Sequence, residues 1–127
     1  MAGYNAALAA RAYEMGLCDE RQAVFAATAG RMPGGGSGRL LLAVKGRDMH
    51  IFRLNVQSGG IGDYICSVPF DGITRLKVKP GFLHELLTGY ALRFEYGAIR
   101  WEFMNCHAQK YALSVIAAEA GLKPRIF

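Results

Sequence analysis

Arg75, Lys77 and Lys79 recur at alternate positions between Ile73 and Lys79, a spacing that lines cations along one face of an extended strand. Strict alternation puts Ile73 on that same face and Thr74, Leu76 and Val78 on the other. Such a row can meet an anionic membrane or an acidic partner. It is equally what the wet side of an ordinary strand looks like, and lysines there blunt an exposed edge against unwanted pairing. The run Gly34-Gly35-Gly36-Ser37-Gly38 has the glycines of a phosphate loop, but a phosphate loop ends in Gly-Lys-Ser/Thr and opens a helix. This run ends in Gly38-Arg39 and leads into a strand, so nucleotide binding is not expected of it.

Nucleophiles and metal ligands are sparse. His50, His84 and His107 are spread along the chain with no Asp or Glu at metal-ligand spacing. Cys106 and His107 are adjacent, yet neighbours on a helix point in different directions, so they do not make a nucleophile and its base. Cys18, Cys66 and Cys106 are odd in number and form no CxxC pair, which argues against a disulfide framework or a zinc knuckle. They read as reduced, buried thiols of a cytoplasmic protein. No catalytic set, cofactor or metal is expected.

The 127 residues are 52% hydrophobic and 20% charged, with a formal net charge of +5. That composition fits a single globular domain over 1–127, large enough to bury one core. Its Lys and Arg residues are scattered singly and most aromatics fall at core-patterned positions, which argues against nucleic acid. The apolar run Leu40 to Val44 is too short to span a bilayer, and Met1 to Gly16 lacks the basic leader of a signal peptide.

The elements that must position these residues follow from period and punctuation. Asn5 to Met15 predicts a helix capped by Asn5 and stopped at Gly16, with Tyr4, Leu8, Ala12 and Met15 on one face. Gln22 to Met32 reads as a strand, and Arg39 to Lys45 and Met49 to Leu54 make a hairpin about Gly46-Arg47. Gln57 to Asp63 reads as a surface loop, followed by strands over Tyr64 to Val68 and Ile73 to Lys79, the latter ended by Pro80-Gly81. From Ala91 to Phe103, a two-residue turn at Gly97-Ala98 sets Tyr96 opposite Ile99, Glu95 opposite Arg100 and Phe94 opposite Trp101. Arg93 then meets Glu102 and Leu92 meets Phe103, so apolar faces apolar and charge faces opposite charge. Trp101 is therefore core. Asn105 predicts the N-cap of a final helix from Cys106 or His107 to Ala120, with Ala108, Tyr111, Ala112, Val115 and Ile116 as its apolar stripe. Gly121 stops that helix and Pro124 prevents a restart.

In this order of elements the chain resembles the pleckstrin-homology-like superfold, especially its bacterial PH and GRAM-like branches. The likeness is carried by Gly38-Arg39-Leu40-Leu41-Leu42 leading to Ile51-Phe52, and by Val68-Pro69-Phe70-Asp71-Gly72-Ile73. Lys77-Val78-Lys79-Pro80-Gly81, Leu92-Arg93-Phe94, Trp101-Glu102-Phe103 and the helix from Ala108 to Ile116 continue it. It covers a core of residues 20–121, with residues 1–17 as an added N-terminal helical extension. The resemblance implies an α+β fold: an antiparallel β-barrel or strongly bent sheet capped by the C-terminal helix. The N-terminal helix would pack outside it or exchange with another subunit.

Relatives of this kind that bind phosphoinositides hold them with cations around the first hairpin loop. Here that implies Arg31 and Arg39, which flank Pro33 to Gly38, as the anionic-ligand pair; guanidinium forks match phosphate oxygens. Arg75, Lys77 and Lys79 form a secondary cationic face. The function expected is a non-enzymatic interaction module that self-assembles or binds a protein partner. The alternative is peripheral attachment to anionic lipid headgroups such as phosphoinositides.

Overall fold

The computed structural model describes residues 5–32, 38–55, 60–80, 90–108 and 110–121. Helix α1 (Ala6–Glu14) leads into strands β1 (Val24–Arg31), β2 (Arg39–Lys45), β3 (Asp48–Leu54) and β4 (Ile61–Pro69). Strands β5 (Ile73–Pro80), β6 (Tyr90–Tyr96) and β7 (Ile99–Cys106) follow, and helix α2 (Lys110–Glu119) ends the order. The seven strands form one antiparallel sheet in the order β4-β3-β2-β1-β7-β6-β5. Two meanders, β1 to β4 and β5 to β7, are thus joined where β1 pairs with β7. The α+β class and both helices are as expected. A closed barrel is not formed: β4 and β5 stand at opposite ends of the strand order, so the sheet is open.

The two faces of the sheet are covered differently. The inner face carries the main core, with Leu40, Leu42, Met49, Ile51, Leu92, Phe94 and Phe103 packed with Ala112, Leu113 and Ile116 of α2. The outer face of β1 and β2 presents Val24, Ala26, Leu41 and Ala43, and Leu8, Ala9 and Ala12 of α1 bury against them. Helix α1 forms as its punctuation dictates: the Asn5 side chain accepts from the Leu8 N–H at 3.0 Å, and Gly16 takes φ +75° just past its end. Met15, expected on its buried face, is exposed, because the helix ends at Glu14 and Met15 is already the capping residue.

The β6–β7 hairpin has the register that its sequence requires, Tyr96 to Ile99 through Leu92 to Phe103. Gly97 and Ala98 both take positive φ, +61° and +64°, the turn geometry that matches strand twist in a two-residue hairpin. Trp101 is buried and stacks on Phe94, with ring centroids 5.8 Å apart.

Four further expectations are corrected. Ile61, Gly62 and Asp63 belong to β4 rather than to a loop, because they extend the ladder with β3 as far as Leu54 opposite Ile61. Asn105 is not a helix cap: β7 runs on to Cys106, Asn105 takes φ +50°, and the His107 N–H bonds the Ala26 carbonyl. Helix α2 therefore starts later. Its buried stripe is Ala112, Leu113, Ile116 and Ala117, leaving Tyr111 exposed with its hydroxyl on Glu20. Lastly, Ile73 is a core residue and does not share a face with Arg75. Residues 33–37, 56–59 and 81–89, Tyr4, Gln109 and Pro124, on which other expectations fall, lie outside the described residues, as does His84.

Candidate functional site

Two irregularities in the ladder decide where the cations sit. On β5, Thr74 lies opposite Glu95 and Lys77 opposite Arg93, so three steps on β5 match two on β6. The extra residue is Arg75, at φ +56°. This bulge lets Ile73 and then Leu76 and Val78 all point inward while Arg75, Lys77 and Lys79 remain exposed.

The second bulge is at Gly30 on β1. Counting by twos from Ala29, which packs on the inner core, would send Arg31 inward. The register instead shifts between Ala29 and Arg31, so that Ala29 faces Phe103 and Arg31 faces Glu102. Glu102 lies between the core residues Trp101 and Phe103 and so points outward, and Arg31 points outward with it. The bulge is tight at its glycine: a Cβ on Gly30 would stand 3.2 Å from the Glu102 carbonyl oxygen and 3.2 Å from Met104 Cγ, closer than a side chain sits without its neighbours giving way.

The result is a row across four neighbouring strands: Arg31 on β1, Glu102 on β7, Arg93 on β6 and Lys77 on β5. At the usual strand spacing it is about 14 Å long. Arg39 lies on the same face, opposite Thr28, whose hydroxyl oxygen accepts from Arg39 Nη1 at 3.3 Å. The sequence-predicted pair Arg31 and Arg39 and the row Arg75, Lys77, Lys79 are therefore brought onto one outer sheet face. Arg93 and Arg100 join them there. Alternation along β6 and β7 placed these two as cross-strand charge partners, but only the β5–β6 register reveals that Arg93 stands beside Lys77.

Toward the β6–β7 turn this face sinks into a cleft of about 210 Å³ lined by Arg75, Lys77, Arg93, Phe94, Glu95 and Arg100. Arg75 Nε lies 3.6 Å from Glu95 Oε2, and Arg93 Nε lies 3.8 Å from Glu102 Oε1. Both distances allow attraction but are too long for a hydrogen bond. Arg93 Nε is buried and has no hydrogen-bond partner among the described residues. Cations here outnumber carboxylates, and what the arrangement can do is hold an anion.

Neither a family model nor a curated protein sequence matches the chain. The geometry of its own residues carries the reading.

Among the other residues singled out by type, the three cysteines pack in or against the core, and His50 and His107 are half-buried. Cys106 is buried on the inner face and its thiol lies 3.7 Å from the Phe103 carbonyl; burial pushes its pKa up to about 12, so it stays protonated. Burial likewise raises Cys18 and Cys66. His107 sits near Arg39, and burial with that guanidinium lowers its pKa. His50 lies beside Tyr64, ring centroids 6.0 Å apart. Among the described residues no cluster of His, Cys, Asp and Glu could hold a metal, and no described helix is long and apolar enough to cross a membrane. A second cavity, about 430 Å³ between the segment leading into β1, the end of β2 and α2, has the opposite character, with Asp19, Glu20 and Glu119 around Tyr111.

Proposed function

We propose that this chain is a non-enzymatic interaction module of pleckstrin-homology-like architecture that binds an acidic protein partner on the outer face of β1, β7, β6 and β5. The architectural part is supported by the two meanders joined through β1 and β7 and by the C-terminal helix on the inner face. It is also supported by core residues contributed by every strand. A flat sheet of seven strands would be about 29 Å wide, whereas α2 is about 15 Å long, so a strongly bent sheet accounts for that burial.

The observation that carries the function is the row Arg31, Glu102, Arg93, Lys77. Helix α1 covers the outer face over β1 and β2, and the cations occupy the outer face beside it. Interleaved carboxylates give that face a charge pattern rather than uniform charge. A patterned face suits a partner with discrete acidic side chains, since electrostatic complementarity sets register and excludes wrong partners. A uniformly anionic bilayer would gain nothing from Glu95 and Glu102. The lipid reading keeps one specific support, the placing of Arg31 and Arg39 on this same face.

The test is fluorescence anisotropy of a labelled poly-glutamate peptide at low and at physiological salt. Binding that is lost with Lys77→Glu and Arg100→Glu, and kept with Arg53→Glu, supports the reading. No binding at low salt, or binding indifferent to these reversals, rejects it. Binding only to anionic vesicles would move the function to the membrane.

A further inference from the structure

We infer that the cleft between β5, β6 and β7 is a specific site for one tetrahedral oxyanion of the phosphate-monoester type. This goes beyond docking of the surrounding face, because the cleft would take its anion with or without a macromolecule on that face.

The first argument is charge and placement. Arg75, Lys77, Arg93 and Arg100 converge on one small cleft from three adjacent strands, against one carboxylate, Glu95, among its described lining residues. Side chains fixed to a sheet are held apart by strand spacing and register, so their mutual repulsion is built in and an anion relieves it. Glu95 is drawn toward Arg75 at 3.6 Å. Glu95 also faces Arg100 across the ladder, and one carboxylate set among four cations leaves a net positive charge for a ligand to meet.

The second argument is the unpartnered donor. Arg93 Nε is buried and makes no hydrogen bond among the described residues, while its nearest carboxylate oxygen stands off at 3.8 Å. A buried N–H left without an acceptor costs free energy, more so on a charged group. That nitrogen is closed off from solvent beside Glu102, so an oxyanion in the cleft becomes its acceptor when the guanidinium turns from Glu102 toward the cleft, and guanidinium–phosphate hydrogen bonds are among the strong charge-assisted ones.

The third argument is size. About 210 Å³ is below the roughly 300–1,000 Å³ of sites that enclose a whole small molecule. The cleft suits a single phosphoryl group, with the remainder of any larger ligand lying outside.

The test is titration of the full chain with inorganic phosphate at constant ionic strength, followed by amide NMR and by calorimetry. Saturable one-to-one binding is expected, with the amides of Lys77, Arg93 and Arg100 shifting together. Arg93→Gln should weaken it about ten-fold or more. Arg100→Gln, an exposed position that folding tolerates, should weaken it as well, and Arg53→Gln should not. A linear, non-saturating response, or equal affinity in Arg93→Gln and Arg100→Gln, overturns the assignment. Vesicles distinguish the sources. Preference for phosphatidate over phosphatidylserine at matched charge, competed by inorganic phosphate, assigns a lipid headgroup. Phosphate binding without that preference assigns a soluble phosphate ester. Failure of the poly-glutamate test with phosphate binding intact would remove the docking function and leave this site standing.

Discussion

Arg93 and Glu102 face each other across β6 and β7, yet Arg93 Nε stays 3.8 Å from the Glu102 carboxylate and makes no hydrogen bond among the described residues. In a hairpin whose register is otherwise set by matched pairs, this is a pair left loose. It lies between Arg31 and Lys77 in the row that crosses the cationic face. Four predictions test the structural frame that holds this face.

The turn between β6 and β7 places Ala98 at φ +64°, a left-handed conformation that a Cβ disfavours. Ala98→Gly should raise stability by about 0.5–1 kcal/mol. Thermal denaturation with both proteins at one concentration would show the higher midpoint. No gain would mean that the turn is held by something other than its backbone.

Gly30 turns Arg31 outward. In Gly30→Val the new side chain meets the Glu102 carbonyl, where a Cβ already stands at 3.2 Å, so a loss of about 1–3 kcal/mol is expected. Urea unfolding gives that number. The same variant should bind poly-glutamate less well, since Arg31 no longer sits squarely opposite Glu102.

Removing residues 1–16 strips α1 from Val24, Ala26, Leu41 and Ala43. Loss of buried Leu8, Ala9 and Ala12 should cost about 3 kcal/mol, and the uncovered face should bind a hydrophobic dye. If the truncated protein instead keeps full stability but changes its oligomeric size on light scattering, the helix acts between subunits.

Cys106 gives the alkaline limb a sign. Its folded-state pKa of about 12 lies above the 9.0 of an ordinary thiol. The native state keeps a proton that the unfolded state gives up, so stability falls as pH rises from about 9 toward 12. Cys106→Ala should flatten that slope while lowering stability by about 1 kcal/mol at neutral pH. Urea midpoints measured from pH 8 to pH 11 would reveal both effects.

The parts of this fold that were legible in the sequence are those fixed by local rules. Asn5 and Gly16 bound α1, and the opposed charges and aromatics of β6 and β7 admit one register. The parts that were not legible come from pairing at a distance. A bulge adds a residue without changing composition, so Ile73 read by alternation falls on the wrong face. Asn105 has the chemistry of a helix cap, but pairing of β7 with its neighbours prolongs the strand past it. The stripe of α2 is set by a sheet it meets far along the chain, which is why Leu113 is core and Tyr111 is not. The candidate site was legible in half: Arg31, Arg39, Arg75 and Lys77 stand out by position, whereas Arg93 and Arg100 become its members only through the β5–β6–β7 register.

The central claim is that the outer face of β1, β7, β6 and β5 is where this chain meets its partner. Mapping amide chemical-shift changes on addition of an acidic peptide tests it most directly. The account predicts that the shifts gather on Arg31, Lys77, Arg93, Arg100 and Glu102 and fade with added salt. Shifts gathered instead around His50, Phe52 and Tyr64 on β3 and β4, or persisting in high salt, would contradict it.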